Sequence, residues 1–304
     1  MAPSIAVIGE CMLELSRADG RIDDRGLSMT MNYGGDTLNT AVYLSRNGIA
    51  TRYVTALGDD SMSDWLLQEW QEEGIDCSLV SRMHNSVPGM YMIDLADDGE
   101  RSFSYWRENS PASRLFDDSE RVRTLFASLG SASHLYLSGI SLGILPEQSL
   151  QRLFEHLASF RQAGKKIVFD GNYRPKLWLS KTFAQQTYTQ MYGMTDIALP
   201  TLEDESVLFG VDSAEQLVQN LKTFGVQEAV VKMGAEGCLY AHEQIVEQVR
   251  AVQVTPVDTT AAGDSFNAGF LAARLSGSSG ANACQAGHAL ASQVIQHRGA
   301  IIPR

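Results

Sequence analysis

The sequence predicts an α/β protein: a mostly parallel sheet covered by helices on both faces, with a small separate β-layer beside it. Three observations carry this. Short continuous apolar runs such as Ile5-Ala6-Val7-Ile8, Ile167-Val168-Phe169 and Ala229-Val230-Val231 have the character of strands buried on both faces. From His134 onward such runs alternate with segments of helical periodicity, the pattern of βαβ units. Between Pro88 and Asn109 the helical period disappears, and apolar residues alternate on either side of Asp97-Asp98-Gly99, a hairpin signal.

The first strand, 5–8, ends at Gly9. The stretch 10–31 is more polar, with Asp19-Gly20 the expected turn between two short strands. Gly34-Gly35-Asp36 opens a helix carrying Leu38, Ala41, Val42 and Leu44, closed by Asn47-Gly48. Tyr53-Val54-Thr55-Ala56-Leu57 is the next expected strand. A helix follows over 59–73, with Trp65, Leu66 and Trp70 inward and Gly74 as its stop. Met90, Met92, Phe103 and Tyr105 line the hairpin arms; with the strands after Glu10 they form the small β-layer, from segments of about 11–33 and 88–109. Further on, Leu135-Tyr136-Leu137, Ile197-Ala198-Leu199 and the runs at 167–169 and 229–231 are strands, and 146–163, 180–192 and 213–223 are helices. Val252, Val254 and Val257 read as a β-type approach to Ala261-Ala262-Gly263-Asp264, where another helix begins. The last helix, about 282–297, is rich in Ala and Gly and is expected to pack closely.

Composition narrows the function. A chain of 304 residues can bury a large core, and is read as one domain over 1–304 with the β-layer inserted. A net charge of −12 argues against nucleic acid or an anionic membrane as partner. Cys11, Cys77, Cys238 and Cys284 lie far apart with no CxxC pair, against both a disulfide framework and a zinc ribbon. The histidines show no metal-ligand spacing, so no residue is assigned to a metal. No apolar run reaches the length of a membrane span, and the N-terminus lacks a signal-peptide layout. A cytoplasmic protein is expected.

The stretch 258–270, DTTAAGDSFNAGF, carries the chemistry. Small residues at a helix start let backbone N–H groups turn inward together, a site for a phosphate. Asp264 stands out as a carboxylate in a turn that attracts anions. It either favours the helix terminus electrostatically or acts as the base for an attacking hydroxyl.

This stretch is similar, residue for residue, to the C-terminal signature of the ribokinase-like (PfkB-type) carbohydrate kinases. AVIGECMLELS, GGDTLNTAVYLSRNG, DGNYRPKLW and VVKMGAEGC, in the correct order along the whole chain, resemble the branch that phosphorylates 2-keto-3-deoxygluconate. The resemblance implies a three-layer ribokinase-like fold with a β-lid over the sugar site. It implies Asp264 as catalytic base and the amides of Ala261, Ala262 and Gly263 as anion hole. It also implies ATP and Mg²⁺, and a lid that serves some members as a dimer surface.

No GxxxxGK[ST] and no GxGxxG after the first strand occur, so phosphate binding must use other loops. Gly234-Ala235-Glu236-Gly237, after Lys232, has two glycines that permit close backbone approach, although such loops are mostly plain turns. The resemblance makes it the ATP loop, with Lys232, Asn172 and Gly263 also on the nucleotide side. Gly34, Gly35, Asp36 and Asn39 would hold the sugar hydroxyls; Asp36 and Thr37 depart from the broad family pattern and agree with the ketodeoxygluconate branch. Where the family has Asn-x-x-Glu near its metal, this chain has Thr201-Leu202-Glu203-Asp204-Glu205, with Asp204, or Glu205 by a one-residue shift, at the Glu position. The plain alternative is an acidic first turn of a surface helix. Arg107 and Arg174, with Tyr91 and Tyr105, bear on the substrate: a guanidinium fork matches a carboxylate and is poorly used on a neutral sugar. Their alternative is surface pairing with Asp or Glu. The expected function is ATP-dependent phosphorylation of 2-keto-3-deoxygluconate. A kinase of fructose or ribose, or a silent sugar sensor on the same fold, is the alternative.

Overall fold

The computed structural model describes residues 4–23, 26–95 and 101–304. Its main sheet has eight strands, in the order Ala50–Val54, Ser4–Ile8, His134–Ser138, Lys166–Asp170, Ile197–Ala198, Glu228–Lys232, Cys238–His242 and Ile245–Val249. The first six are parallel and the last two join antiparallel at the far edge. Strand periodicity divides the interior in two. Ile5, Val7, Tyr53, Tyr136, Val168 and Val230 face one core. There they meet the helices Asp36–Arg46, Ser61–Glu72, Ala262–Leu275 and Gly280–Val294. Ala6, Ile8, Leu135, Leu137, Phe169 and Val231 face the other, against Glu147–Gln162, Lys181–Tyr192, Leu202–Phe209 and Ala214–Phe224.

The helix limits follow from capping. Asp60, Asp118, Ser180, Ser213 and Ser279 each accept first-turn N–H groups at helix starts, an arrangement worth about 1 kcal/mol apiece. Ser279 moves the last helix to Gly280–Val294, somewhat ahead of its expected place. Its close packing is as expected. A Cβ on Gly269 would lie 2.8 Å from the Ala286 carbonyl oxygen, and one on Gly287 2.8 Å from that of Phe266. The two C-terminal helices therefore touch backbone to backbone.

The second sheet runs Gly26–Gly34, Met12–Asp23, Gly89–Leu95, Arg101–Trp106. It matches the expected β-layer; the Asp97-Asp98-Gly99 turn lies outside the described residues. Three expectations change. Asp19-Gly20 is no turn: the strand continues to Asp23, and the pairing with the next strand shifts register between Arg17 and Ile22, so an irregularity had the look of a reversal. The strand expected over 53–57 starts at Ala50 and divides at Thr55. Its second part, Ala56–Gly58, pairs with Ser81–Met83 in a separate two-stranded sheet. Finally, 251–257 form no strand. Pro256 lacks an N–H, and the Val257 and Asp258 amides donate to the Ile295 carbonyl (2.8 and 3.1 Å) in place of a sheet partner.

Candidate active site

Parallel strands leave their carboxyl ends on one side, and there a cavity of about 790 Å³ opens. Lys232 and Asp170 end their strands at its wall, and the helix Ala262–Leu275 starts against it. Unlike the five capped helices, this one has no side-chain cap, a feature it shares with Asp36–Arg46, Glu147–Gln162 and Leu202–Phe209. Its first-turn donors are thereby left to a ligand. The turn is held by Ala261 in the left-handed region (φ 58°), and Asn172, on the same wall, has φ 36°. Two non-glycine residues with positive φ in one cavity mark a backbone shaped by something other than local preference. The Ala262 N–H already donates to the Thr259 carbonyl at 3.2 Å, so a bound anion would share it.

Asp264 is buried in the first turn of this helix. Its Oδ2 accepts from Asn39 Nδ2 at 2.8 Å. Burial, then the negative charges of Asp36 and Asp170, push its carboxyl up to about 8, against the Asn39 hydrogen bond and the Lys232 charge. Asp36, whose Oδ2 accepts from Asn172 Nδ2 at 2.7 Å, is likewise raised by burial and by Asp170. A carboxyl titrating near neutrality beside a uncapped helix start can take a proton from a hydroxyl while the amides meet negative charge.

Asp36, Asn172, Arg174, Lys232, Gly234, Ala235, Gly237 and Ala261 to Asp264 line this one cavity. Glu236 belongs to the same short turn, with its side chain exposed. Gly34 and Gly35 stand where the small sheet meets the helix Asp36–Arg46; a Cβ on Gly35 would overlap the Glu10 carbonyl. Tyr91, Tyr105 and Arg107 come from the small sheet and its end, not from the cavity wall. The Tyr91 hydroxyl donates to Glu14, and its ring lies 6.0 Å from that of Tyr105. Arg107 is paired with buried Glu10, while its Nε is buried without a hydrogen-bond partner.

The two arginines differ from the expected pair. Arg174 is half-exposed at the cavity rim and donates to Asp204 at 3.2 Å, because the first turn of the helix Leu202–Phe209 brings that carboxylate opposite it. The same geometry separates the members of the acidic turn. Glu203 and Asp204 line the cavity, whereas Glu205 points into the core, accepts from the Tyr192 hydroxyl at 2.5 Å and is pushed up to about 8 by burial. Sequence reasoning missed Glu10, and also Asn267 and Tyr136, which bond to Asp170 on the cavity wall. Asn267 lies three residues after Asp264, on the same helix face, and that spacing could have found it. Among the described residues, no group of three or more His, Cys, Asp or Glu side chains is disposed to hold a metal ion. No helix among them is long and apolar enough to cross a membrane, and all four cysteines are free thiols.

The model of the pfkB family carbohydrate kinases matches residues 2–304. A 2-dehydro-3-deoxygluconokinase of Escherichia coli (strain K12) is 46% identical, covering 100% of this chain and 98% of the relative. Among solved structures, a PfkB protein from Polaromonas sp. JS666 superposes with a TM-score of 0.87 at 27% identity, over 97% of this chain and 96% of that one. A putative ribokinase II from E. coli, in complex with ATP and Mg²⁺, gives 0.85 at 22% identity, over 98% and 94%. The architecture is the ribokinase-like fold that the sequence motifs implied, and the chain belongs to the pfkB family of carbohydrate kinases.

Proposed function

We propose that this protein transfers the γ-phosphate of ATP to the primary hydroxyl of 2-keto-3-deoxygluconate (2-dehydro-3-deoxygluconate), giving the 6-phosphate. The observation that carries the chemistry is Asp264: a buried carboxyl, held by Asn39, at the uncapped start of a helix. The near-full-length likeness to the E. coli 2-dehydro-3-deoxygluconokinase supports the substrate. Asp264 takes the hydroxyl proton as the oxygen attacks. The amides of the 261–263 turn and the Lys232 ammonium meet the charge that develops on the transferred phosphoryl group. The Gly234–Glu236 turn and the wall of Val252, Val254, Phe266 and Ile295 receive the remainder of the nucleotide. Mg²⁺ supplies charge neutralisation on the nucleotide phosphates, and the Glu203 and Asp204 carboxylates on the same wall fit its water shell.

Gly34, Gly35, Asp36 and Asn39 hold the sugar, with Tyr91 and Tyr105 above it on the small sheet, which acts as a lid. Arg107 meets the sugar carboxylate, since its unpartnered buried Nε is a donor in want of an acceptor. Met31, Phe103, Tyr105 and Trp106 are exposed on that sheet, a surface suited to a second copy of the chain. One observation favours a second reading, a kinase of a neutral sugar: both arginines already have carboxylate partners within the chain. ADP release measured with ketodeoxygluconate, fructose and ribose separates the two. The sugar acid should be the preferred substrate; preference for fructose or ribose would overturn the assignment.

A further inference from the structure

Lys232 and Asp170, on the cavity wall, belong to a polar cluster in which every member has a partner. Lys232 Nζ donates to Asp170 Oδ1 at 3.1 Å and to Asn267 Oδ1 at 3.0 Å. Asn267 Nδ2 donates to Asp170 Oδ2 at 2.8 Å and to the Tyr136 oxygen at 3.1 Å, and the Tyr136 hydroxyl lies 3.4 Å from Asp170 Oδ2. All four side chains are buried. They come from the strands His134–Ser138, Lys166–Asp170 and Glu228–Lys232, the last separated from the second by Ile197–Ala198, and from the helix of Asp264, so the cluster ties the sheet to the turn that begins that helix. Lys232 Nζ would lie only 3.6 Å from a Cβ placed on Gly263.

Charge makes this placement consequential. The cavity is lined by the carboxylates of Asp36, Asp170, Glu203, Asp204 and Asp264, against Lys232 and an Arg174 already engaged by Asp204. A polyphosphate entering so acidic a space requires a cation fixed where its charge will fall. A lysine side chain is long and rotamer-rich, and holding its head still is worth most in the transition state. Asp170 and Asn267 take two of its three donors and leave one for an anion at the helix start.

We propose that Asp170 and Asn267 are positioning residues for phosphoryl transfer, locking the Lys232 ammonium against the helix start where the transferred phosphate sits. This rests on the kinase reading above and is independent of which sugar is the acceptor. The test is a double-mutant cycle on turnover, with thermal unfolding of each variant measured alongside. Lys232→Met should lower kcat by ~10²–10³-fold, as loss of one transition-state donor does. Asp170→Asn, similar in shape, should lower kcat by ~10-fold or more with little change in the sugar KM, in the range of coupling within one hydrogen-bond network. In the Lys232→Met background the same change should alter kcat by no more than about twofold. An Asp170→Asn loss of equal size with and without Lys232, or no loss at all, would overturn the proposal. Should Asp170→Asn not fold, Asn267→Ser, which removes the second anchor and keeps the charge pair, replaces it in the same cycle with the same criterion. Absence of ADP release by the wild type with every sugar would instead sink the kinase reading, and this inference with it.

Discussion

The two ends of the site are built differently. At the phosphate end, Lys232, Asp170, Asn267 and Tyr136 satisfy one another, and the helix start is set by a turn with Ala261 in the left-handed region. At the sugar end, Arg107 Nε and Asn39 Oδ1 are buried without hydrogen-bond partners, and the aromatic side chain of Tyr105 is half-exposed. A buried polar group without a partner costs about 1–3 kcal/mol, so a ligand that supplies the partner recovers that amount. On the proposed assignment, the side chains around the transferred phosphate are in place without a ligand, whereas the sugar supplies the missing partners at the lid. Variants at the phosphate end should therefore alter turnover, and variants at the lid should alter discrimination between sugars.

The largest effect is expected at Asp264. Asp264→Asn keeps the size and the Asn39 contact but removes the proton acceptor, so kcat should fall by ~10²–10⁴-fold with ATP affinity nearly unchanged. Equal losses in kcat and ATP affinity would erase the contrast between the two ends.

Next in size is Arg107. Truncating one partner of a buried charge pair costs ~2–5 kcal/mol, roughly 30- to several-thousand-fold in kcat/KM for the sugar acid. An analogue with its carboxylate reduced to an alcohol should lose far less. Arg107→Ala also leaves the buried Glu10 carboxylate without its guanidinium, so the variant should unfold at lower temperature, and adding Glu10→Gln should restore stability without restoring activity toward the acid. Equal losses for acid and analogue would reduce Arg107 to a structural role.

Arg174 should behave otherwise. Its pair with Asp204 is half-exposed, and pairs of that kind contribute about 0–1 kcal/mol. Arg174→Ala should cost less than about tenfold in kcat/KM, and equally for acid and analogue. A selective loss with the acid would put Arg174 back beside Arg107.

A further effect is on stability. The Asp264 carboxyl has an ordinary value of 3.8 and is raised to about 8 in the fold, chiefly by burial. Between these values the folded state binds a proton that the unfolded state has lost. The contribution is fully present below about 3.8 and is lost as pH rises through about 8. The Tm of Asp264→Asn minus that of the wild type should therefore increase across this window. A difference independent of pH would mean the carboxyl is not raised.

Most of the main sheet and its helices was legible because continuous apolar runs and helical spacing report burial directly, as at Ile167-Val168-Phe169. The division at Thr55 and the passage of a strand through Asp19-Gly20 were not, since both depend on which distant segment offers hydrogen bonds. The 261–264 turn at the cavity wall was readable as a contiguous motif. Glu10 was not, because its partner Arg107 is 97 positions away; Asn267 carried a helical spacing from Asp264, but its link to Lys232, 35 positions away, had no local signature. Arg174 was assigned by residue type, and the geometry of Asp204 opposite it had no local signature.

The central claim is that Asp264 is the base, and the pH dependence of kcat/KM for ketodeoxygluconate tests it most directly, because that ratio reports the free enzyme. The wild type should show an acidic limb, rising with pH through a half-maximal point near about 8, the value to which burial and the Asp36 charge raise this carboxyl. Asp264→Asn should be low and flat over the same range. The same limb persisting in a folded Asp264→Asn variant would contradict the assignment and move the base elsewhere in the site.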